Sequence, residues 1–470
     1  VSTTDRPGLL DAPPRHPAAT NGTVHIVEPA AKDLMGHYFQ FAAEAARYFA
    51  REGFDVAVHA SGDADLATLR DTLPGTEIVA AFAYRQSAAY AQVRAGRMTP
   101  ADPLIRRVVR QQIIPRLRHV PRVLGITDPV RARNIEVMLD ASARGIAARF
   151  GASTAEHQTR AIASAEFRRL FARMRDAGGR HHLFIASPEF FVLQALIDAI
   201  REGVGAAIAS LHIRFWHFRS GESQGADLLP MARELALLAR DRGVKAFWYC
   251  DVPWAQAHLQ ARLHCPVGYL DFKAFASVAA EHAAPAAADV RHLLFPGAHR
   301  RVPDKGVQFI ASLAEILPKS GPLRIRMQAI PDGMFDTERE RLHASGMVDF
   351  LPAVLPPADY LMALQDCAAI ALPYDATTWF DRFRGSGVLL EALLHAKPLF
   401  VRRGLPLLNY RTQYDFATFA SPAELLASVT RVLDGSHTLD VAGNRRRYRE
   451  RLAVNDMLQN LRQLVGRDTA

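Results

Sequence analysis

Short apolar runs alternate with longer amphipathic segments along most of the chain. The first run, Val24–Val27 in TVHIVEP, leads into GHYFQFAAEAARYFAREGF, where Phe41, Ala45, Tyr48 and Phe49 recur at helical spacing. Gly53 supplies a stop, and DVAVHA follows as a second apolar run. Residues 24–60 therefore predict strand, glycine-containing turn, helix and strand, the opening of a doubly wound α/β domain whose ligands sit beyond the carboxyl ends of its strands. EIVAAF, HHLFIAS, GAAIASLHI and KAFWYC read as further strands, with FFVLQALIDAIREG and LLPMARELALLARDRG as helices between them. That alternation predicts a mainly parallel sheet covered by helices on both faces.

The pattern is interrupted at AFASVAAEHAAPAAADV, which holds little that fills a core, and then begins again. RHLLFPG, LRIRMQAI and CAAIALPY read as strands and MVDFLPAVL as an edge strand or loop approach. GVQFIASLAEIL and SPAELLASVTRVLDG read as helices, GSGVLLEALLHAKPLFVRR as glycine turn, helix and strand. The expected organisation is a flexible tail over 1–22, an N-terminal Rossmann-like domain over 23–273 and an interdomain connection over 274–290. A C-terminal Rossmann-like domain follows over 291–442, and a helical element over 443–470 is placed to pack back toward the N-terminal domain.

Composition narrows the class. A chain of 470 residues exceeds what one hydrophobic core usually supports, so two domains are the default. With 49% hydrophobic and 22% charged residues it is neither a disordered protein, a disulfide-stapled module nor a fibre. The three cysteines, Cys250, Cys265 and Cys367, form no disulfide framework. His258 and His264 stand near two of them, but no compact CxxC or HExxH spacing supports a metal site, and none is expected. No 18-residue apolar run suggests a membrane span, and the Pro- and Thr-rich start lacks the apolar core of a secretory signal, so the cytoplasm is the expected compartment.

Net charge is +9, from 57 basic against 48 acidic residues, and only six of the basic residues are lysine. The balance permits a nucleic acid, an anionic membrane surface or a phosphate-bearing substrate and selects none of them. Residues 97–133 carry nine arginines against Asp102 and Asp128, reading either as a solvated helix face or as a surface that docks on an anionic bilayer or partner. No nucleic-acid reader motif accompanies them, so no specific nucleic acid is expected.

Two loops carry the candidate chemistry. In Gly297-Ala-His-Arg-Arg-Val-Pro-Asp-Lys-Gly306, between a strand and a helix, Arg300, Arg301 and Lys305 place positive charge where free helix amides also point outward. Such a position holds a diphosphate and stabilises it as a leaving group, although it is not a Walker loop. A basic surface turn is the plain alternative. Downstream, Arg384-Gly-Ser-Gly387-Val388-Leu-Leu-Glu391 again joins a strand end to a helix. Gly385 and Gly387 permit close backbone approach, Ser386 offers a hydroxyl, and Glu391 either meets a ribose diol or pairs structurally with arginine.

These loops resemble those of the retaining family 4 glycosyltransferases of the GT-B fold, the group 1 type. The resemblance spans most of residues 24–465 and is tightest over 291–310 and 366–402. It implies an α/β chain of two Rossmann-like doubly wound domains facing a central cleft. The implied activity is sugar transfer from a nucleoside-diphosphate sugar to a hydroxyl of a saccharide, lipid-linked or other acceptor, with no cofactor, in bacterial glycan synthesis. Arg300 or Arg301 with Lys305 matches the family's phosphate-binding pair, and Glu391-Ala-Leu-Leu-His-Ala-Lys-Pro398 its donor-site glutamate segment. Arg384, Gly385, Ser386, Gly387 and Val388 then approach the donor, as does Gly36. His37 falls on the acceptor side, and His212 matches the histidine near the reacting sugar. One departure stands out: Phe383 occupies the place of the first of two glutamates, leaving Asp381 and Arg384 as the nearby polar groups. The alternative is a nucleotide-sugar-binding protein of this fold with weak or no turnover. Asp251 and Tyr269–Asp271 read as hinge or cleft candidates, and location at the inner membrane face is a further expectation.

Overall fold

The computed structural model describes residues 21–33, 37–94, 154–203, 207–215, 219–220, 226–276, 290–297, 305–331, 333–353, 355–374 and 385–467. The arginine-rich 97–133 segment and most of the alanine-rich 274–290 connection lie outside these residues, as does the tail.

The N-terminal half builds a seven-stranded sheet. Its strands are β1 (Thr23–Val27), β2 (Asp55–Ser61), β3 (Glu77–Phe82), β4 (His181–Ile185), β5 (Ser210–Phe215), β8 (Ala246–Cys250) and β9 (Val267–Tyr269), in spatial order β3-β2-β1-β4-β5-β8-β9. Every pairing in it is parallel. A two-residue hairpin, β6 (Arg219–Ser220) with β7 (Ala226–Asp227), stands apart. β4 and β5 are buried at every position, as strands covered on both faces must be. The helix Phe190–Arg201 matches them, with eight of its twelve residues buried.

The C-terminal half repeats the plan in six parallel strands: β10 (Arg291–Phe295), β11 (Leu323–Gln328), β12 (Val348–Leu351), β13 (Ala369–Leu372), β14 (Leu399–Arg402) and β15 (Ala417–Phe419), ordered β12-β11-β10-β13-β14-β15. In each sheet the chain first builds outward on one side of its opening strand and then returns to the other. The order therefore reverses between β1 and β4 in one domain and between β10 and β13 in the other, and ligands bind beyond the strand ends at such points.

The last helices tie the halves together. Residues 444–466 read as one helical stretch, but the structure breaks it at Val454–Asn455. Asn455 Oδ1 accepts from the Leu458 amide at 3.0 Å, capping a new helix. The helix Val441–Ala453 packs Tyr448 into the C-terminal core. The helix Asp456–Arg467 buries Met457, Leu458 and Leu461 in the N-terminal core, and Asn460 Nδ2 donates to Tyr249 Oη at 2.9 Å. Among the described residues no helix is long and apolar enough to cross a membrane.

Candidate active site

Lys305 lies beyond the end of β10, immediately before the helix Val307–Ile316. Its ammonium fills the space that a Cβ on Gly297 would need, and Gly297 has φ +97°, so the turn after β10 and the lysine are built around each other. A cation, a helix N-terminus and the β10/β13 switch point thus coincide, an arrangement suited to a phosphate group. Arg300, Arg301, Arg384 and Gly36 lie outside the described residues, as does the side chain of His37.

The loop before the helix Gly387–Leu394 meets the other domain. A Cβ on Gly385 would lie 2.5 Å from Asp251 Oδ2, and one on Gly387 would lie 3.3 Å from the Phe272 ring. The approach of the Asp251 carboxylate thus leaves no room for a side chain at Gly385, while Gly387 sits close against Phe272, roles separate from admitting a ligand. Ser386 is buried, and its hydroxyl accepts from the Leu389 amide at 3.3 Å as the helix cap. Val388 is half-buried against the core of the C-terminal domain.

Glu391 is also inside this junction. Its Oε1 pairs with Lys273 Nζ at 3.1 Å and its Oε2 accepts from the Tyr360 hydroxyl at 2.6 Å. Lys273 lies in turn 3.7 Å from Glu44 Oε1, on the helix His37–Arg51. Burial works against the charge on Lys273, but Glu391 and Glu44 outweigh it and raise its pKa. Burial raises that of Glu44, with Lys273 opposing. Alongside, the buried Arg214–Asp251 pair joins the ends of β5 and β8, and Arg214 Nε donates to Leu270 O at 2.8 Å. Asp271 accepts from the Tyr269 and Tyr448 hydroxyls at 2.9 and 3.1 Å. Asp271 is thus an interdomain anchor and Asp251 a buried ion-pair partner beside Gly385, whereas Glu44 and Tyr360 carried no signal of their own in the sequence. Both Glu391 oxygens are thus already engaged in the interdomain cluster.

His212 corrects the expectation drawn from the resemblance. It is fully buried in the middle of β5, three residues before the strand end, with its ring stacked on Phe247 at 4.9 Å. Both ring nitrogens are engaged, with Ser210 Oγ at 2.8 Å and Tyr249 Oη at 2.9 Å. Burial holds its pKa well below the ordinary imidazole value. It is a neutral core histidine held by its strand neighbours.

The N-terminal switch point carries other polar groups. Glu28 directly follows β1 and is 1% exposed; its amide donates to His59 O at 3.0 Å and its Oε1 accepts from the Ala30 amide at 3.2 Å. Ser187 and Glu189 follow β4, and Glu189 pairs with Arg85 at 2.8 Å. At the end of β2, Gln86 Nε2 donates to Ser61 Oγ at 2.6 Å and Asp63 Oδ1 at 2.9 Å. Among the described residues no group of three or more His, Cys, Asp or Glu is arranged to hold a metal ion.

Two Rossmann-like domains whose strand ends face one cleft define the GT-B architecture, and solved structures share it along nearly the whole chain. Sucrose-phosphate synthase from Thermosynechococcus elongatus superposes with a TM-score of 0.52 at 12% identity, covering 95% of this chain and 99% of its own. Anabaena HepE in complex with UDP gives 0.51 at 11% identity, covering 93% and 98%. The N-terminal domain of Candida albicans trehalose-6-phosphate phosphatase gives 0.51 at 10% identity, covering 96% and 98%. No protein-family model matches the chain. No curated protein matches it in sequence.

Proposed function

We propose that this chain is a glycosyltransferase that moves a sugar, with retention, from a nucleoside-diphosphate sugar to an acceptor hydroxyl. The observation that carries the reading is Lys305, set over the backbone of Gly297 at a helix N-terminus on the β10/β13 switch point. A diphosphate there meets the positive charge of Lys305 at the positive end of a helix, which stabilises the negative charge developing on the leaving group. Anabaena HepE, of the same architecture, has been solved in complex with UDP, which supports a nucleotide as the ligand. Arg300 and Arg301 add charge to the same loop, and no metal is invoked. The acceptor enters from the N-terminal half.

A binding protein with little turnover is the second reading. It is favoured by Glu391, whose two oxygens are taken by Lys273 and Tyr360, together with Phe383 in the place of a glutamate. Nucleoside-diphosphate release and sugar transfer, measured over a panel of nucleotide sugars and hydroxyl acceptors, separate the two. Release coupled to transfer supports the enzyme; tight donor binding without release supports the binding protein.

A further inference from the structure

The C-terminal sheet carries a polar cavity at the edge opposite Lys305. Lys305 lies beyond the carboxyl end of β10, whereas Asp415 leads into the amino end of β15, and every pairing in the sheet is parallel. Beside that amino end a cavity of about 240 Å³ opens between the helix Pro406–Thr412 and the last turn of the helix Pro422–Leu433. Its polar lining is Arg411, Asp415, Thr418, Ser428, Arg431 and His437. The walls are held by hydrogen bonds of their own. Asn444 Oδ1 accepts from the Asp415 amide at 2.7 Å and its Nδ2 donates to Asp415 O at 2.6 Å, while Asp415 Oδ2 accepts from the Asp440 amide at 2.8 Å. Arg431 O accepts from the His437 amide at 2.8 Å and from the Ser436 hydroxyl at 3.2 Å. A wall fixed in this way loses little freedom when a ligand binds.

The cations of this lining are not consumed by the fold. Arg411 is exposed and makes no side-chain hydrogen bond or ion pair among the described residues, and the Arg431 guanidinium reaches the Ser428 hydroxyl only at 3.5 Å. Asp434, three residues past Arg431, is turned to the Ser436 amide at 2.9 Å. Two arginines and a histidine against one carboxylate leave a positive balance, and guanidinium groups bind phosphate oxygens through paired N–H donors. Asp415 repels a bare anion and accepts hydrogen bonds from hydroxyls, so the lining suits a molecule with phosphate at one end and hydroxyls at the other. The volume lies below the roughly 300–1,000 Å³ of sites that enclose drug-sized ligands, a scale that admits one sugar ring and excludes a nucleoside-diphosphate sugar. We propose that this cavity binds a phosphorylated monosaccharide, with its phosphate on Arg411 and Arg431 and its hydroxyls on Asp415 and Thr418. The site is separate from the nucleotide at Lys305 and does not depend on the transferase reading.

The test is calorimetric titration of glucose 6-phosphate, fructose 6-phosphate, glucose and inorganic phosphate into the full chain. At least one sugar phosphate binds, and glucose and inorganic phosphate each bind about tenfold more weakly or worse. Arg411→Ala and Arg431→Ala each weaken the ester about tenfold with the thermal melt unchanged, and Arg411→Lys recovers part of the loss. Lys305→Ala leaves the ester's affinity in place. Asp415→Asn tightens inorganic phosphate, because the charge is gone while an oxygen still accepts from the Asp440 amide. The proposal is overturned if neither sugar phosphate binds, if inorganic phosphate binds as tightly as the esters, or if both arginine variants bind like the wild type. It is overturned equally if Lys305→Ala, and neither arginine variant, abolishes binding, which seats the ester in the donor site. A chain that binds the ester through Arg411 and Arg431 but takes no nucleotide sugar loses the transferase reading and keeps this site.

Discussion

Replacing Lys273 by methionine removes the cation that lies between the buried Glu391 and the half-buried Glu44. The side chains are 4% exposed for Lys273, 9% for Glu391 and 16% for Glu44, and the ammonium lies 3.1 and 3.7 Å from the two acids. Without it, Glu391 keeps only the Tyr360 hydroxyl, and Glu44, whose Oε2 is already without a hydrogen-bond partner among the described residues, keeps Gln40 at 3.2 Å. Breaking a buried pair by deleting one partner costs about 3–5 kcal/mol, mostly because a charge is left uncompensated. Since the three groups come from the N-terminal helix, the crossover and the C-terminal helix, the loss should appear as uncoupling of the domains. Urea unfolding followed by tryptophan fluorescence suits this, because Trp254 of one domain packs on Tyr410 of the other at 4.9 Å. The expected result is a lower midpoint for the Trp254 signal, and partial recovery when Glu391→Gln is added, with a coupling of about 1–3 kcal/mol between the two changes. A Lys273→Met protein within about 0.5 kcal/mol of wild type would refute the reasoning, because it would show that the pair does not hold the interface.

Gly385→Ala sets a Cβ against the Asp251 carboxylate and should cost about 1–3 kcal/mol while widening the interdomain distance in small-angle scattering; an unchanged profile would remove the close-approach argument. Acid should destabilise the N-terminal sheet first. His25, hydrogen-bonded between His59 and His181 at 3.0 Å each, has its pKa lowered to about 3 by burial and then by His181 and Arg173. His182 is lowered to about 4 by burial and then by Arg180. The unfolded chain binds these protons near pH 6.5 and the fold does not, so their contribution is complete above that pH and is lost as pH falls toward 4 and 3, by at most about 1.4 kcal/mol per pH unit for each histidine. Urea midpoints measured from pH 7 to pH 4 should fall accordingly, and His25→Gln should flatten the slope; a flat wild-type curve would show that the rings are already charged in the fold.

Much of the architecture was legible because a parallel sheet buried on both faces leaves near-continuous apolar runs such as AIAL. The helix Thr154–Ala177 is weaker in sequence because Ala155, Thr159 and Ala163 carry the first half of its buried face. The three-residue strands β9 and β15 are too short to show a period. Lys305 was legible as a cation opening a helix. His212 was misread because what makes it a core residue, its bonds to Ser210 and to Tyr249 on the neighbouring strand, depends on strand pairing that no local pattern reveals. The Glu44–Lys273–Glu391 cluster joins residues far apart in the chain. Its one local sign is a lysine, among only six, inside the apolar segment YLDFKAF.

In the proposed reaction a nucleoside diphosphate is held at Lys305 and released as the sugar moves. Calorimetric titration of UDP and a panel of nucleotide sugars into the full chain and into Lys305→Ala, paired with an assay of diphosphate release in the presence of hydroxyl acceptors, tests it most directly. Loss of one charge-assisted contact of about 1.5–3 kcal/mol predicts donor use weakened by about 10- to 100-fold in the variant, with its thermal melt unchanged. Equal donor affinity and equal turnover in the two proteins would show that Lys305 does not hold the diphosphate.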